Sequence, residues 1–521
     1  MIRKTPFFRL VLFLLMGILV APSLPDYMPF ILAGLSLVGI CACSFFKNSF
    51  GYSVRNVHGL FLCLLILSIG MYRTQTEKVD PVDVESFVTQ NVVAKVVGEP
   101  LEKNKTIAVD VKMISQELPT DVWVQLYIKK DTQSCALQNG DWITLQSAVF
   151  CPRQRMDRTA QHYKKKNLSG SYFVSSRQWH LVCHTSERSL IYYAHKAQKR
   201  LVKIFMDMNI KGDELSVLSA LTIGEKSMLS KDLKNAYSMT GASHILAVSG
   251  LHVGIVFYVF SHLLVFLTRS KNAEKFNVIV SLIALWIFAF VTGLSPSVVR
   301  ASIMLTMASL TILLNRKSQI FNTVFASAFL MLLYSPAYLY DVGFQLSFTA
   351  VLSILLFQKP IYESFVVRNK LLDKIWAMSS VSFSAQLGTL PLSLYYFHQV
   401  SNLFGLSGLL VIPLSAIIIY LSIGVWCMNA VPYVGVGLAY ALQRIAMLMN
   451  GVIQTMGTWS VAVRSDIQFE WIDVLFVYGI LIALWMFVHK QSFRLLFSFL
   501  FVVFLYAGYQ TINKIFCNLA T

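Results

Sequence analysis

The chain has 521 residues, 56% of them apolar and only 13% charged, with 44 Lys and Arg against 26 Asp and Glu. A positive mean hydropathy and apolar runs of span length exclude one soluble core and indicate a polytopic membrane protein. The net charge of +18 favours anionic partners such as phosphate chains or lipid headgroups.

Read in windows of about 19 residues, apolar segments fall at 7–24, 28–46, 57–71, 242–268, 277–293, 297–314, 319–334, 342–358, 375–393, 403–427, 437–459, 471–488 and 492–508. This predicts roughly ten to thirteen spans. The first segment, MIRKTPFFRLVLFLLMGILVAPS, has the basic start and small-residue end of a signal peptide. Further spans follow at once, so it is expected to stay as a helix. With the N-terminus inside, the short cytoplasmic loops collect sixteen basic residues, from Arg3, Lys4 and Arg9 through Lys47, Arg269, Lys271, Arg316 and Lys317 to Lys490 and Arg494. The short outer loops hold Arg464 and Lys514, an asymmetry that sets the orientation.

No span occurs from Tyr72 to about Ala236, and after three helices this block lies outside the cytoplasm. It carries 24 Lys and Arg against 18 acidic residues, concentrated in Cys151 to Lys203 with 12 basic and 2 acidic. Arg153, Arg155, Arg158, Lys164, Lys165 and Lys166 form a candidate patch for capturing phosphate backbones; a solvated, lipid-adjacent face is the alternative. Cys135, Cys151 and Cys183 share this oxidising setting, where two of the three could form a disulfide. Cys41, Cys43, Cys63, Cys427 and Cys517 lie in or beside apolar segments as ordinary small side chains.

Five runs in Glu85 to Ser176, VTQNVVAKVVG, KTIAVDVKMI, DVWVQLYIKK, GDWITLQSAVF and GSYFVSS, alternate or are β-branched and are separated by turn residues. They predict a small barrel, and five-stranded barrels of the OB type commonly bind single-stranded nucleic acid. From Glu187 to Asn235 the spacing turns helical. These amphipathic helices are expected on the outer membrane surface, with Lys196, Lys199, Arg200 and Lys203 at headgroup level. The expected organisation is three helices in 1–71, the OB-like domain in 72–186, interfacial helices in 187–236 and a channel domain in 237–521.

In SMTGASHILAVSGLHVGIVF, residues 238–257, His244, Ser249 and His252 stand at the head of an apolar helix. Ser249 and His252 are three residues apart, about 60° around a helix, and Gly241, Gly250 and Gly254 are expected to let neighbouring helices approach. GLSPSVVRASIM places Arg300 at an outer helix start, YDVGFQLSFTA places Asp341 and Gln345 four apart, and SAQLGTLPLSLYYFHQVSN adds Gln386 and Asn402. All fall in the outer half of the membrane. Charges there must meet each other, water or a ligand. An outward-open funnel is the simplest arrangement, and a structural Arg300–Asp341 ion pair is its plain alternative. Tyr395 to Phe397 reads as an interfacial belt before a base-stacking platform.

HILAVSGLHVG, LSPSVVRASIM, DVGFQLSFTA and LGTLPLSLYYFHQVSNL, in this order, closely resemble the competence domain of the ComEC family of natural transformation. The resemblance covers about Asp213 to Val488, and the outer block resembles that family's OB-fold module. The family usually shows an Asn-Pro-x-x-Phe-Asp-Tyr-like turn there; CPRQRMDRTAQHYKKKNLSGSYFV keeps Asp157, Tyr163 and Gly170. The resemblance implies an inner-membrane channel that moves single-stranded DNA into the cytoplasm. His244, Ser249, His252, Arg300, Asp341, Gln345, Gln386 and Asn402 then line the path. The implied partners are DNA, membrane lipids, an extracytoplasmic DNA receptor and single-strand-binding proteins. No P-loop pattern occurs, so an ATP-driven motor would be a separate cytoplasmic partner. No cofactor is expected. Many members add a metallo-β-lactamase-like domain credited with strand degradation; no His-x-His-x-Asp-His run occurs here, so no enzyme activity of that kind is expected. The competing readings are a small-molecule or lipid-linked transporter and, more distantly, an intramembrane hydrolase built on Ser249 and His252.

Overall fold

The computed structural model describes residues 5–45, 51–77, 91–102, 105–114, 122–150, 170–184, 190–267, 273–315, 319–431, 433–459, 461–465, 467–490 and 492–520. Cys151, Arg153, Arg155, Asp157, Arg158, Tyr163, Lys164, Lys165 and Lys166 lie outside the described residues. So do Arg3, Lys4, Lys47, Arg269, Lys271, Arg316 and Lys317.

In chain order, α1 (Pro6–Val20), α2 (Met28–Phe45) and α3 (Gly51–Glu77) precede six strands: β1 (Val92–Glu102), β2 (Thr106–Ile114), β3 (Val122–Lys129), β4 (Trp142–Leu145), β5 (Gly170–Val174) and β6 (Trp179–Cys183). Three helices follow, α4 (Leu190–Asp207), α5 (Gly212–Thr222) and α6 (Lys231–Met239). The remainder is α7 (Gly250–Leu267), α8 (Ala273–Val291), α9 (Pro296–Leu313), α10 (Ile320–Tyr334), α11 (Val342–Glu363), α12 (Lys370–Phe397), α13 (Phe404–Met428), α14 (Val434–Gly457), α15 (Trp471–Lys490) and α16 (Phe493–Ala520). The short strands β7 (Val400–Ser401) and β8 (Val463–Arg464) pair antiparallel between these helices.

Every predicted apolar segment contains a helix. Among the described residues eight helices are long and apolar enough to cross a membrane: α1, α3, α9, α11, α13, α14, α15 and α16. Apolar stretches of α2, α7, α8 and α10 are shorter. The chain is a multi-pass helical membrane protein. Helix α12, with its serines and charged first turns, packs along α11 through a polar seam. There Ser353 Oγ donates to the Ser384 carbonyl at 2.6 Å and Trp376 Nε1 to the Tyr362 carbonyl at 2.9 Å. Such bonds join helices where no hydrophobic force separates helix from lipid.

The strands form one sheet in the order β5-β3-β2-β1-β4-β6, antiparallel except for the parallel β3–β5 pair. Alternation puts Ile107, Val109, Val111 and Met113 of β2 on one face, buried with Val92, Val96, Val124, Leu126 and Trp179 in one core. Here the structure corrects the expected barrel. Five strands were legible, but a sixth, β6, pairs along β4, with Leu145 opposite Trp179. β4 is four residues long and its two edges are taken by β1 and β6. Among the described residues β5 therefore does not close onto β4, and the sheet is open.

Contacts divide the chain into two compact units, Met1–Ile204 with Val256–Asp341, and Phe205–Ile255 with Val342–Thr521. In the first, α3 packs on α1 and α2, and α1 on α10. The C-terminal carbonyls of α10 are met by Arg73 of α3, whose Nε donates to the Leu333 carbonyl at 3.1 Å. In the second, α5 and α6 pack on α14, and α13 on α14. Tyr237 of α6 donates its hydroxyl to Asn450 Oδ1 of α14 at 2.9 Å, and burial pushes the Tyr237 phenol up, so it stays a neutral donor.

Candidate functional site

The apolar segment predicted at 242–268 becomes helical only from Gly250. Helix α6 stops at Met239, α7 starts at Gly250, and the ten residues between are irregular. Non-helical backbone at membrane depth persists only where protein buries it or a cavity wets it, and here protein side chains hold it. Ser407 Oγ donates to the Thr240 carbonyl at 2.7 Å and Ser401 Oγ to the Met239 carbonyl at 2.9 Å. Gly241 has φ +76°, and a Cβ there would meet Ser401 Cβ at 3.0 Å and Phe404 Cβ at 3.1 Å. Both the turn and the close approach require glycine. Gly254, by contrast, faces open space, so it does not serve the close approach expected of it.

Asn402 belongs to the same support. Its backbone N–H donates to the Ala462 carbonyl at 3.0 Å and its Nδ2 to the Val461 carbonyl at 2.9 Å. It ties the β7 turn to β8 with its side chain at the surface.

His252 is 1% exposed. Its Nδ1 accepts the Ser249 backbone N–H at 3.3 Å, and its ring also hydrogen-bonds the backbone of Leu221. The imidazole thus clips the start of α7 to the end of α5. Nδ1 takes the amide of Ser249, not the hydroxyl that the hydrolase alternative would activate. His244 is exposed, its Nδ1 3.1 Å from the Gly241 carbonyl. Gln345 of α11 accepts from the Tyr396 hydroxyl of α12 at 2.9 Å, which engages one residue of the Tyr395–Phe397 aromatic run. Gln386 lies half-buried on α12. His244, Ser249, His252, Gln345, Gln386 and Asn402 all belong to the second unit.

Arg300 and Asp341 belong to the first unit and meet there, Nη1 to Oδ1 3.8 Å. Arg300 is 5% exposed. Its Nη2 donates to Ser297 Oγ at 3.0 Å, while its Nε is buried with no hydrogen-bond partner among the described residues. The turn into α9 is tight, with φ +70° at Gly293 and +52° at Leu294. A Cβ on Gly293 would reach Gln198 Oε1 and His195 Cε1 at 3.2 Å, so α4 seats directly on this turn. Sequence spacing alone did not point to His195, Gln198 or Ser297; the Gly-Leu-Ser-Pro turn was the available signal.

In the sheet region, a cavity of about 280 Å³ lies between Lys196 and Lys199 of α4 and Ser134, Cys135 and Gln138 of the β3–β4 connection. These two lysines therefore face protein on one side as well as solvent. Cys135 and Cys183 are free, exposed thiols, so they are not joined to each other. Among the described residues no group of three or more His, Cys, Asp or Glu is placed to hold a metal ion.

A family model described as competence protein matches residues 221–492, just over half of the chain. The chain is 29% identical over 257 residues to ComE operon protein 3 of Bacillus subtilis (strain 168), covering 49% of this chain and 31% of that protein. It is 31% identical over 222 residues to an uncharacterized protein of Aquifex aeolicus (strain VF5), covering 42% and 48%. It is 26% identical over 208 residues to Recombination protein 2 of Haemophilus influenzae, covering 38% and 26%. The matched stretches span about a quarter to a half of the length of these curated relatives. No solved structure matches the chain.

Proposed function

Because the chain belongs to the competence protein family, we propose that it acts in DNA uptake for natural transformation, as an inner-membrane channel passing one strand from the extracytoplasmic side into the cytoplasm. One observation carries this reading: the family match over residues 221–492 takes in Arg300, Asp341, His244, Gln345, Gln386 and Asn402, polar groups that loop charge assigns to the outer half of the membrane. In an apolar bundle such groups mark a pathway more often than a packing need.

The outer region supports a capture step. Its sheet is open, yet a strand succession with β1 between β2 and β4 and β3 parallel to β5 supports reading it as related to OB-like modules, whose β4–β5 connection commonly contacts nucleic acid. Arg153, Arg155, Arg158, Lys164, Lys165 and Lys166 all fall in that connection. Translocation would draw its energy from a separate cytoplasmic partner.

The test follows fluorescent double-stranded DNA in a naturally transformable host lacking this protein, complemented with the wild type or with Lys164, Lys165 and Lys166 changed to Gln. The expected result is accumulation outside the inner membrane without the protein, entry with the wild type, and weaker, less salt-sensitive capture in the triple variant. Equal entry in every strain would overturn the reading and turn attention to transport of a small or lipid-linked solute.

A further inference from the structure

Arg300 has bonding capacity that its surroundings leave unused. Helix α9 begins at Pro296, and helical side chains lean toward the N-terminus, so the guanidinium lies over the first turn, beside Ser297. The unpaired N–H groups of that turn give the helix end a partial positive charge. Cation and helix end together favour an anion. The anion now present is Asp341, at 3.8 Å. That contact is ionic, too long for a hydrogen bond and short of the two-pronged fork a guanidinium makes with a fitting oxyanion. Among the described residues, Nε of Arg300 and the hydroxyl of Ser295, one residue before the helix, are both buried without partners. The guanidinium side of the pair is enclosed, at 6% exposure, while the Asp341 side chain is 31% exposed, so the pair opens on the carboxylate side.

We propose that this is a phosphodiester site for the passing strand, which rests on the transport reading above, and that Asp341 holds the place of the phosphate when no strand is present. The two non-bridging oxygens of a phosphodiester match the spacing of Nε and Nη on one edge of a guanidinium. The Ser295 hydroxyl, at the same helix end, offers a further neutral donor. Asp341 then acts as a competitor rather than a ligand. It lowers the affinity of the site so that each phosphate leaves as the next arrives, as conduction demands of any binding site along a path.

The experiment uses the full chain in phosphatidylcholine nanodiscs and a fluorescent oligothymidylate, with affinity read by anisotropy for the wild type, Arg300→Gln, Asp341→Asn and the double variant. Expected is weakening of about tenfold for Arg300→Gln and tightening of about fivefold for Asp341→Asn. The gain must vanish when Arg300 is already Gln, because it acts only through that guanidinium. A methylphosphonate oligomer, which lacks the backbone charge, must bind the wild type and Asp341→Asn equally.

A purely structural ion pair predicts weaker binding and lower thermal stability in both single variants, and that outcome overturns the proposal. So does a gain that persists in the double variant, which reports bulk charge. So does an Asp341→Asn gain that phosphatidylglycerol in the disc abolishes, which would assign the site to a lipid headgroup. Wild type that binds the oligomer with no Asp341→Asn gain removes this inference alone; wild type that binds no oligomer removes the transport reading with it.

Discussion

His252 and Arg300 are the same kind of anomaly, a polar side chain buried at the start of an apolar helix, and the structure treats them in opposite ways. His252 turns its ring to backbone groups of its own unit, accepting the Ser249 amide at Nδ1 and lying against Leu221. Arg300 has one good hydrogen bond, to Ser297, one loose ionic contact and an unused Nε. A saturated polar group in hydrocarbon is part of the scaffold, whereas an unsaturated one keeps its donors for something that comes and goes. Burial alone does not separate the two cases; the partner count does.

The comparison breaks first at Arg300. Arg300→Ala should lower DNA internalisation by about thirtyfold or more while changing unfolding stability by less than about 1 kcal/mol, because Asp341 is open enough to rehydrate. Uptake assayed beside thermal unfolding in detergent checks both halves. His252→Ala should do the reverse, costing about 3 kcal/mol through a cavity and two stranded backbone groups, with uptake per folded molecule near normal. Loss of uptake in a well-folded His252→Ala protein would erase the distinction.

Gly241→Ala should cost about 2 kcal/mol, from the left-handed backbone and the Ser401 and Phe404 contacts, and shows as a lower unfolding midpoint. The smallest effect expected is Tyr237→Phe, about 1 kcal/mol for the hydrogen bond to Asn450.

Hydropathy read the helices well because a span is defined by length and apolarity, and each predicted segment contains one. Period-two runs likewise gave β1 to β5. β6 escaped because only Trp179 of its five residues is buried, so WHLVC shows no alternation, and without it the sheet was expected to close as a five-stranded barrel. Residues 240–249 were misread for a different reason: apolar content says nothing about backbone conformation, and SHILAVSG is apolar enough to pass as helix. The Thr-Gly pair before it was the local sign of a break. Which polar residues would meet was half legible. Arg300 and Asp341 attract across the sequence by charge, whereas the anchoring of Asn402 to Val461 depends on a two-residue β pairing that no spacing rule announces.

Helix α16 has none of its span window buried. It touches α15 through Phe476 against Tyr506 and Tyr509, and through Gln510 bonded to Asp473, while Phe497, Phe501 and Phe504 point away from the protein. Selection on those outer positions can ask only for oiliness. They are accordingly the place for a spectroscopic reporter: a spin label at Phe501 or Phe504 would read acyl-chain order and depth in the bilayer, leaving the protein's own machinery undisturbed.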